Sequence, residues 1–258
     1  MKLYFKYFAL QIKSSFQYRA SLIFDMFSST IATITCFFAI VCLFQKYDHI
    51  ASYNMFEVLI TYAMITLAFA ISECLFRGFD QFDSLVKTGE LDRLLIRPRS
   101  IFLQVLGYKI EFKKLGRIIF SAIVLGVALA KSSIVWSPLR IVCLILMFVC
   151  SIIIFGGMFL LYSGISIFTV EGLEAINIIT NGGRDLCYYP LDVYTSVLRK
   201  FFTFIIPLAC VNYLPLQFLL GRANNVFYAI IPLFGILFAV ICYIFFRWAL
   251  TKYKSTGS

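Results

Sequence analysis

Acid–base or nucleophilic chemistry needs polar side chains that converge, and this sequence offers one loose group that could: Glu171, Glu174, Arg184, Asp185 and Asp192. Two carboxylates held near a cation could serve as general acid and base. These residues, however, are strung along a segment interrupted by Gly182 and Gly183, where helix ends and membrane topology account for charge equally well. His49 is the single histidine and falls in a short loop, which removes histidine-based metal sites and a Ser-His-Asp triad. The eight cysteines (Cys36, Cys42, Cys74, Cys143, Cys150, Cys187, Cys210, Cys242) are scattered with no CxxC pair, and read as small buried hydrophobes. No GxxxxGK[ST] phosphate loop occurs, nor GxSxG or HExxH. The chain is therefore expected not to be an enzyme, to hydrolyse no ATP of its own, and to hold no cofactor or metal.

The residues with most to say lie between Phe79 and Arg117, the one long polar interruption in the sequence. Its centre runs Asp83-Ser-Leu-Val-Lys-Thr-Gly-Glu-Leu-Asp-Arg-Leu-Leu-Ile-Arg-Pro-Arg-Ser100. Leu85, Val86, Leu91, Leu94 and Leu95 alternate at helical spacing with Asp83, Lys87, Glu90, Asp92 and Arg93. That pattern predicts an amphipathic helix starting near Asp83 and stopped by Pro98, then a second amphipathic piece over 101–114. An apolar face between two membrane spans must be covered, and a soluble partner docking there is the expectation.

The elements that would hold this island are membrane spans. Of 258 residues 61% are hydrophobic and 14% charged, against about half and about a quarter in soluble domains. Spans need about 20 apolar residues each, so six fit, and the long unbroken apolar runs exclude a barrel. The net charge of +10 sits mostly at the edges of those runs, where it sets orientation, so nucleic-acid binding is not expected.

In order, Lys2, Lys6, Lys13 and Gln17 share one face of a helical wheel opposite Phe5, Phe8 and Ile12. This fits an interfacial helix over 1–18, or a basic flank that orients the first span. No cleavable signal peptide is expected. Spans follow at about 21–44 and 56–76, with Glu73 and Arg77 spaced to pair as i and i+4. The loop 77–117 is rich in Lys and Arg and is expected on the cytoplasmic side with the N-terminus. Span three covers about 115–130. Span four, about 141–170, is longer than a bilayer requires and places Gly157 and Gly164 on one face for close helix approach.

Residues 171–222 admit two courses. Charge favours a span at 201–220 with Arg199 and Lys200 at its inner end. The other course has a short span at 173–189, then a re-entrant external segment broken at Pro207 and Pro215. A last span at about 226–246 leaves the C-terminus cytoplasmic. A secondary transporter would show two related halves, and none is evident.

Three segments together carry a family resemblance: Lys87-Thr-Gly-Glu-Leu-Asp-Arg-Leu-Leu-Ile-Arg-Pro98, Tyr189-Pro-Leu-Asp-Val-Tyr194 and Phe204-Ile-Ile-Pro207. In order and spacing the chain resembles the permease subunits of type-2 ATP-binding-cassette (ABC) transporters, nearest a bacterial branch with short permeases, over nearly its whole length. The resemblance implies an all-α, polytopic membrane protein, a single permease domain over 1–258 with six transmembrane helices. It implies a coupling helix in loop 77–117 that assigns Gly89, Glu90, Leu91, Asp92, Leu94 and Pro98 to contact with the ATPase. It also implies an external re-entrant hairpin over 190–222, which decides between the two courses above.

The resemblance further implies an ATP-driven exporter of the bacterial cytoplasmic membrane, with both termini inside. Its partners would be cytoplasmic ABC ATPase subunits, which hold the ATP and magnesium, a second identical or homologous permease, and membrane lipid. The alternatives are a membrane-embedded enzyme using the carboxylates of 171–192, or a scaffold acting without an ATPase.

Overall fold

The computed structural model of the chain describes residues 19–169, 173–223 and 225–255, together with Lys13 and Gln17. The proposed interfacial helix over 1–18 lies outside the described residues except for those two side chains, both exposed. Among the described residues the chain is helical throughout, with only an isolated bridge between Ile50 and Tyr53.

Helix α1 (Arg19–Lys46) and helix α2 (Met55–Asp80) are joined by a loop closed by the Ile50–Tyr53 bridge. Asn54 caps α2, and its backbone N–H donates to the Glu57 carboxylate at 2.9 Å, completing a capping box that satisfies N–H groups the helix cannot. α2 is the axis of the fold, with α6 (Leu115–Lys131) and α7 (Pro138–Ser166) packed against it. Ser137 caps α7 and Pro138 occupies its first turn, where a missing N–H costs nothing.

Helix α7 in turn packs along α13 (Phe234–Lys252). The glycine reading holds here: a Cβ on Gly157 would sit 3.0 Å from Ala239 Cα, and one on Gly164 would sit 2.7 Å from the Phe245 ring. Removing two side chains lets the helix surfaces meet, as helices in lipid require when no hydrophobic drive brings them together. The cysteines are free thiols and all but Cys36 and Cys42 are buried.

Among the described residues four helices are long and apolar enough to cross a membrane: Ala20–Lys46, Met55–Lys87, Pro138–Ser166 and Phe227–Lys252. A fifth crossing is available if the bent pair of α9 (Ser196–Phe204) with Leu208–Leu219, angled at 78°, counts as one. The six-span expectation differs because α6 has 17 residues and α8 (Leu173–Leu186) has 14, about 26 and 21 Å of helix against roughly 30 Å of hydrocarbon.

The segment 205–219 breaks where one of its prolines stands and not at the other. The chain turns ahead of α10 (Leu208–Val211), with Pro207 as its cap, and again at Asn212 ahead of α11 (Tyr213–Leu219). Pro215 is the third residue of α11, where no intrahelical N–H is lost. The second break therefore belongs to Asn212, whose side chain donates to Cys187 O at 3.0 Å.

Candidate functional site

The loop 77–117 is built from short helices folded back on α2. α2 loses helical geometry at Phe76, and helices α3 (Phe82–Lys87), α4 (Glu90–Ile96) and α5 (Ile101–Leu106) follow. The expected single helix from Asp83 to Pro98 is two helices, because Gly89 sits at φ 69, a left-handed conformation open to glycine at little cost. Arg97 is extended, as the residue before a proline tends to be. α5 lies against the end of α2 so closely that a Cβ on Gly78 would overlap the Val105 carbonyl.

This folding decides what becomes of the leucine stripe. Leu85, Val86, Leu91 and Leu94 are all buried, in one cluster with Phe79, Phe82, Val105 and Phe246 of α13. Phe246 holds its ring edge-on to both Phe79, at 5.6 Å, and Phe82, at 5.5 Å. The apolar face predicted to need a soluble partner is thus covered by the chain itself. What remains outside is the turn after α4: Leu95 is 39% exposed, Ile96 is 84% exposed, and residues 97–100 are exposed throughout.

The six sequence-assigned residues therefore divide. Gly89 makes the turn. Glu90 accepts a hydrogen bond from the Tyr108 hydroxyl at 2.7 Å, a bond that with partial burial pushes the phenol above its usual range. Asp92 accepts from Ser255 Oγ at 2.7 Å, tying α4 to the tail after α13. Leu91 and Leu94 are core. Pro98 alone is fully on the exposed turn. Gln104 braces the arrangement, its Nε2 donating to Leu94 O and Arg99 O, each at 3.1 Å. Sequence reasoning overlooked Gln104, although a lone glutamine in an apolar hexamer is a visible signal.

Behind the loop lies a cluster of buried and half-buried charged side chains at the C-terminal end of α2. The expected Glu73–Arg77 pair does not form. Glu73 instead meets Lys114 Nζ at 2.9 Å and Arg117 Nη1 at 2.7 Å, while Arg77 meets Asp80 and, at 3.2 Å, Glu111. The bend at Phe76 is the reason, since i,i+4 neighbours meet only on an uninterrupted helix. Lys113 also meets Glu111 at 3.0 Å.

At the other end of α2 a second polar network gathers residues far apart in sequence. Asp192 accepts from Tyr53 at 2.9 Å, from Tyr213 and, at 3.4 Å, from Arg199. Gln217 donates to the Tyr53 hydroxyl. Arg222 meets Glu57 at 2.7 Å and lies 4.2 Å over the Tyr53 ring. Burial, then the Asp192 bond, pushes the Tyr53 phenol up to about 12.

Of the carboxylates that could do chemistry, Asp185 and Asp192 are engaged by neighbouring side chains. Asp185 receives Arg184 Nε at 2.8 Å, and Asp192 holds the network just described. Glu171 and the Glu174 side chain lie outside the described residues. Among the described residues no group of three His, Cys, Asp or Glu side chains could hold a metal ion.

The sequence of this helical bundle has a match among family models. The one described as ABC-2 family transporter protein covers residues 30–257. The chain belongs to this family. No curated protein and no solved structure matches it. As an ABC-2 chain it is a multi-pass membrane protein and a transport permease, and membership implies partnership with ABC ATPase subunits.

Proposed function

We propose that this ABC-2 permease is half of an ATP-driven export pathway and that the loop 77–117 is its handle for the ATPase. The observation that carries the reading is the exposed turn of residues 95–100, an apolar side chain flanked by arginines, on a loop otherwise locked into the helical core. A lever needs both properties: a surface to be gripped and a rigid attachment to what must move. Here the attachment is the Phe246 ring contacts to α13 and the buried ion pairs from residues 111–117 to α2. ATP binding must favour one permease arrangement over another, and only a differential contact at this handle can pass that preference on.

In this reading the chain crosses the bacterial cytoplasmic membrane six times, with both termini and the loop inside. The four long helices are joined by α6 and by α8, and α9 to α11 form the external re-entrant hairpin. Arg199 then lies outside beside Asp192, which offsets the charge that the orientation rule would place inside. A second permease copy or homologue completes the pathway, and ATP and magnesium belong to the ATPase subunits. No residue of this chain acts as a catalyst.

The test is ATP turnover in proteoliposomes by a partner ABC ATPase subunit, with and without the permease. Turnover should depend on the permease, and Ile96→Asp should abolish that dependence while leaving the permease melting temperature unchanged. Turnover indifferent to both manipulations would refute the assignment.

A further inference from the structure

Beside its exposed turn the loop 77–117 carries a hollow of its own. A cleft of about 330 Å³ opens between α4 and α5, with Glu90, Arg93, Arg97, Gln104 and Tyr108 on its walls. Arg93 and Arg97 are one helical turn apart and exposed, and neither forms an ion pair among the described residues. Glu90, the one acid on the wall, is already engaged by the Tyr108 hydroxyl. Gln104 is 5% exposed, and with both Nε2 bonds directed at main-chain carbonyls its Oε1 is left with no donor among the described residues.

Two guanidinium forks call for a carboxylate or phosphate, and Glu90 on the same wall repels a multiply charged free phosphate more than a single carboxylate. An Asp or Glu side chain on a polypeptide segment supplies that carboxylate. Arg99 and Arg247 line a neighbouring cleft and extend the positive field around the entrance.

We infer that the α4–α5 cleft receives an acidic segment of the cytoplasmic ATPase subunit, an assignment that rests on the function proposed above. The two proteins then interlock in both directions: the turn around Ile96 is held by the ATPase, and an Asp or Glu of the ATPase is held by Arg93 and Arg97. Charge on the cleft walls sets the rate and selectivity of docking, and the apolar turn sets how long it lasts.

The permease in nanodiscs of neutral phosphatidylcholine is titrated with a partner ABC ATPase subunit, over a series of salt concentrations. Arg93→Glu with Arg97→Glu should weaken binding about tenfold or more and flatten its salt dependence, as expected for charges at an interface rim. Arg93→Lys with Arg97→Lys should retain most of the affinity. An Asp→Lys or Glu→Lys change on the ATPase surface should restore binding to the charge-reversed permease and to no other. If charge reversal lowers the melting temperature, the Arg93→Gln, Arg97→Gln pair is read in its place.

Unaltered affinity in the charge-reversed permease, with normal wild-type binding, overturns the inference and leaves the handle intact. Loss confined to discs containing anionic lipid overturns it in favour of a headgroup. No wild-type binding at all removes the proposed function itself.

Discussion

The two ends of α2 are both polar, but they are built differently. At its C-terminal end the side chains are acids and bases: Glu73, Arg77 and Asp80 on the helix meet one another and Glu111, Lys113, Lys114 and Arg117 on the single segment leading into α6. At its N-terminal end a tyrosine-rich network joins stretches up to 170 residues apart in sequence, with Asp192 and Arg222 as its hubs. The first network bolts one loop to one helix. The second gathers separate segments, the first loop with the start of α2, the 3₁₀ turn Leu191–Val193, α9, α11 and the turn after it, and acts as a clasp.

Breaking the bolt at the C-terminal end of α2 should have the largest effect. Glu73→Ala leaves Lys114 and Arg117 buried without their carboxylate, a loss on the order of 3–5 kcal/mol. It should appear as a sharply lowered melting temperature in detergent and as lost ATPase stimulation in lipid. Asp192→Ala at the clasp removes the acceptor shared by Tyr53, Tyr213 and Arg199 and should cost about 1–3 kcal/mol. ATPase binding should survive that change. If it falls as far as with Glu73→Ala, the division of labour between the two ends is wrong.

Smaller changes sharpen the contrast. Gly89→Ala forces a left-handed residue with a Cβ at about 1–2 kcal/mol, which should loosen α4 and be read as faster amide exchange confined to 90–96. Tyr53→Phe should cost about 1 kcal/mol and change the response to alkali. With Tyr53 held up at about 12 against an ordinary 10.0, the folded state keeps its proton where the unfolded state has lost it. The stabilisation is complete below pH 10 and declines as pH rises towards 12. Melting between those limits should show the decline in the parent chain and a smaller one in Tyr53→Phe.

A second pair of regions shows what a sequence can and cannot tell. α1 and α2 look alike as letters, two apolar helices of similar length, yet 11% of the apolar window of the first is buried inside the fold and 89% of the second. Hydropathy reports only that a side chain avoids water, and lipid and protein interior are equivalent in that respect. The leucine stripe of loop 77–117 is ambiguous for the same cause. Its periodicity showed that a face must be covered, and Phe246, more than 150 residues further along the sequence, covers it.

By itself the sequence determined that this chain lives in a membrane as a bundle of helices and that its cysteines are unpaired. Motif order sufficed to name the family, because apolar run length and residue spacing are local quantities. Tertiary structure alone decided that Glu73 pairs with Lys114 and Arg117, that α2 is the axis and α1 the rim, and that the loop shows Ile96 to the solvent. Those outcomes depend on which surfaces meet across the bundle, and no local pattern records that.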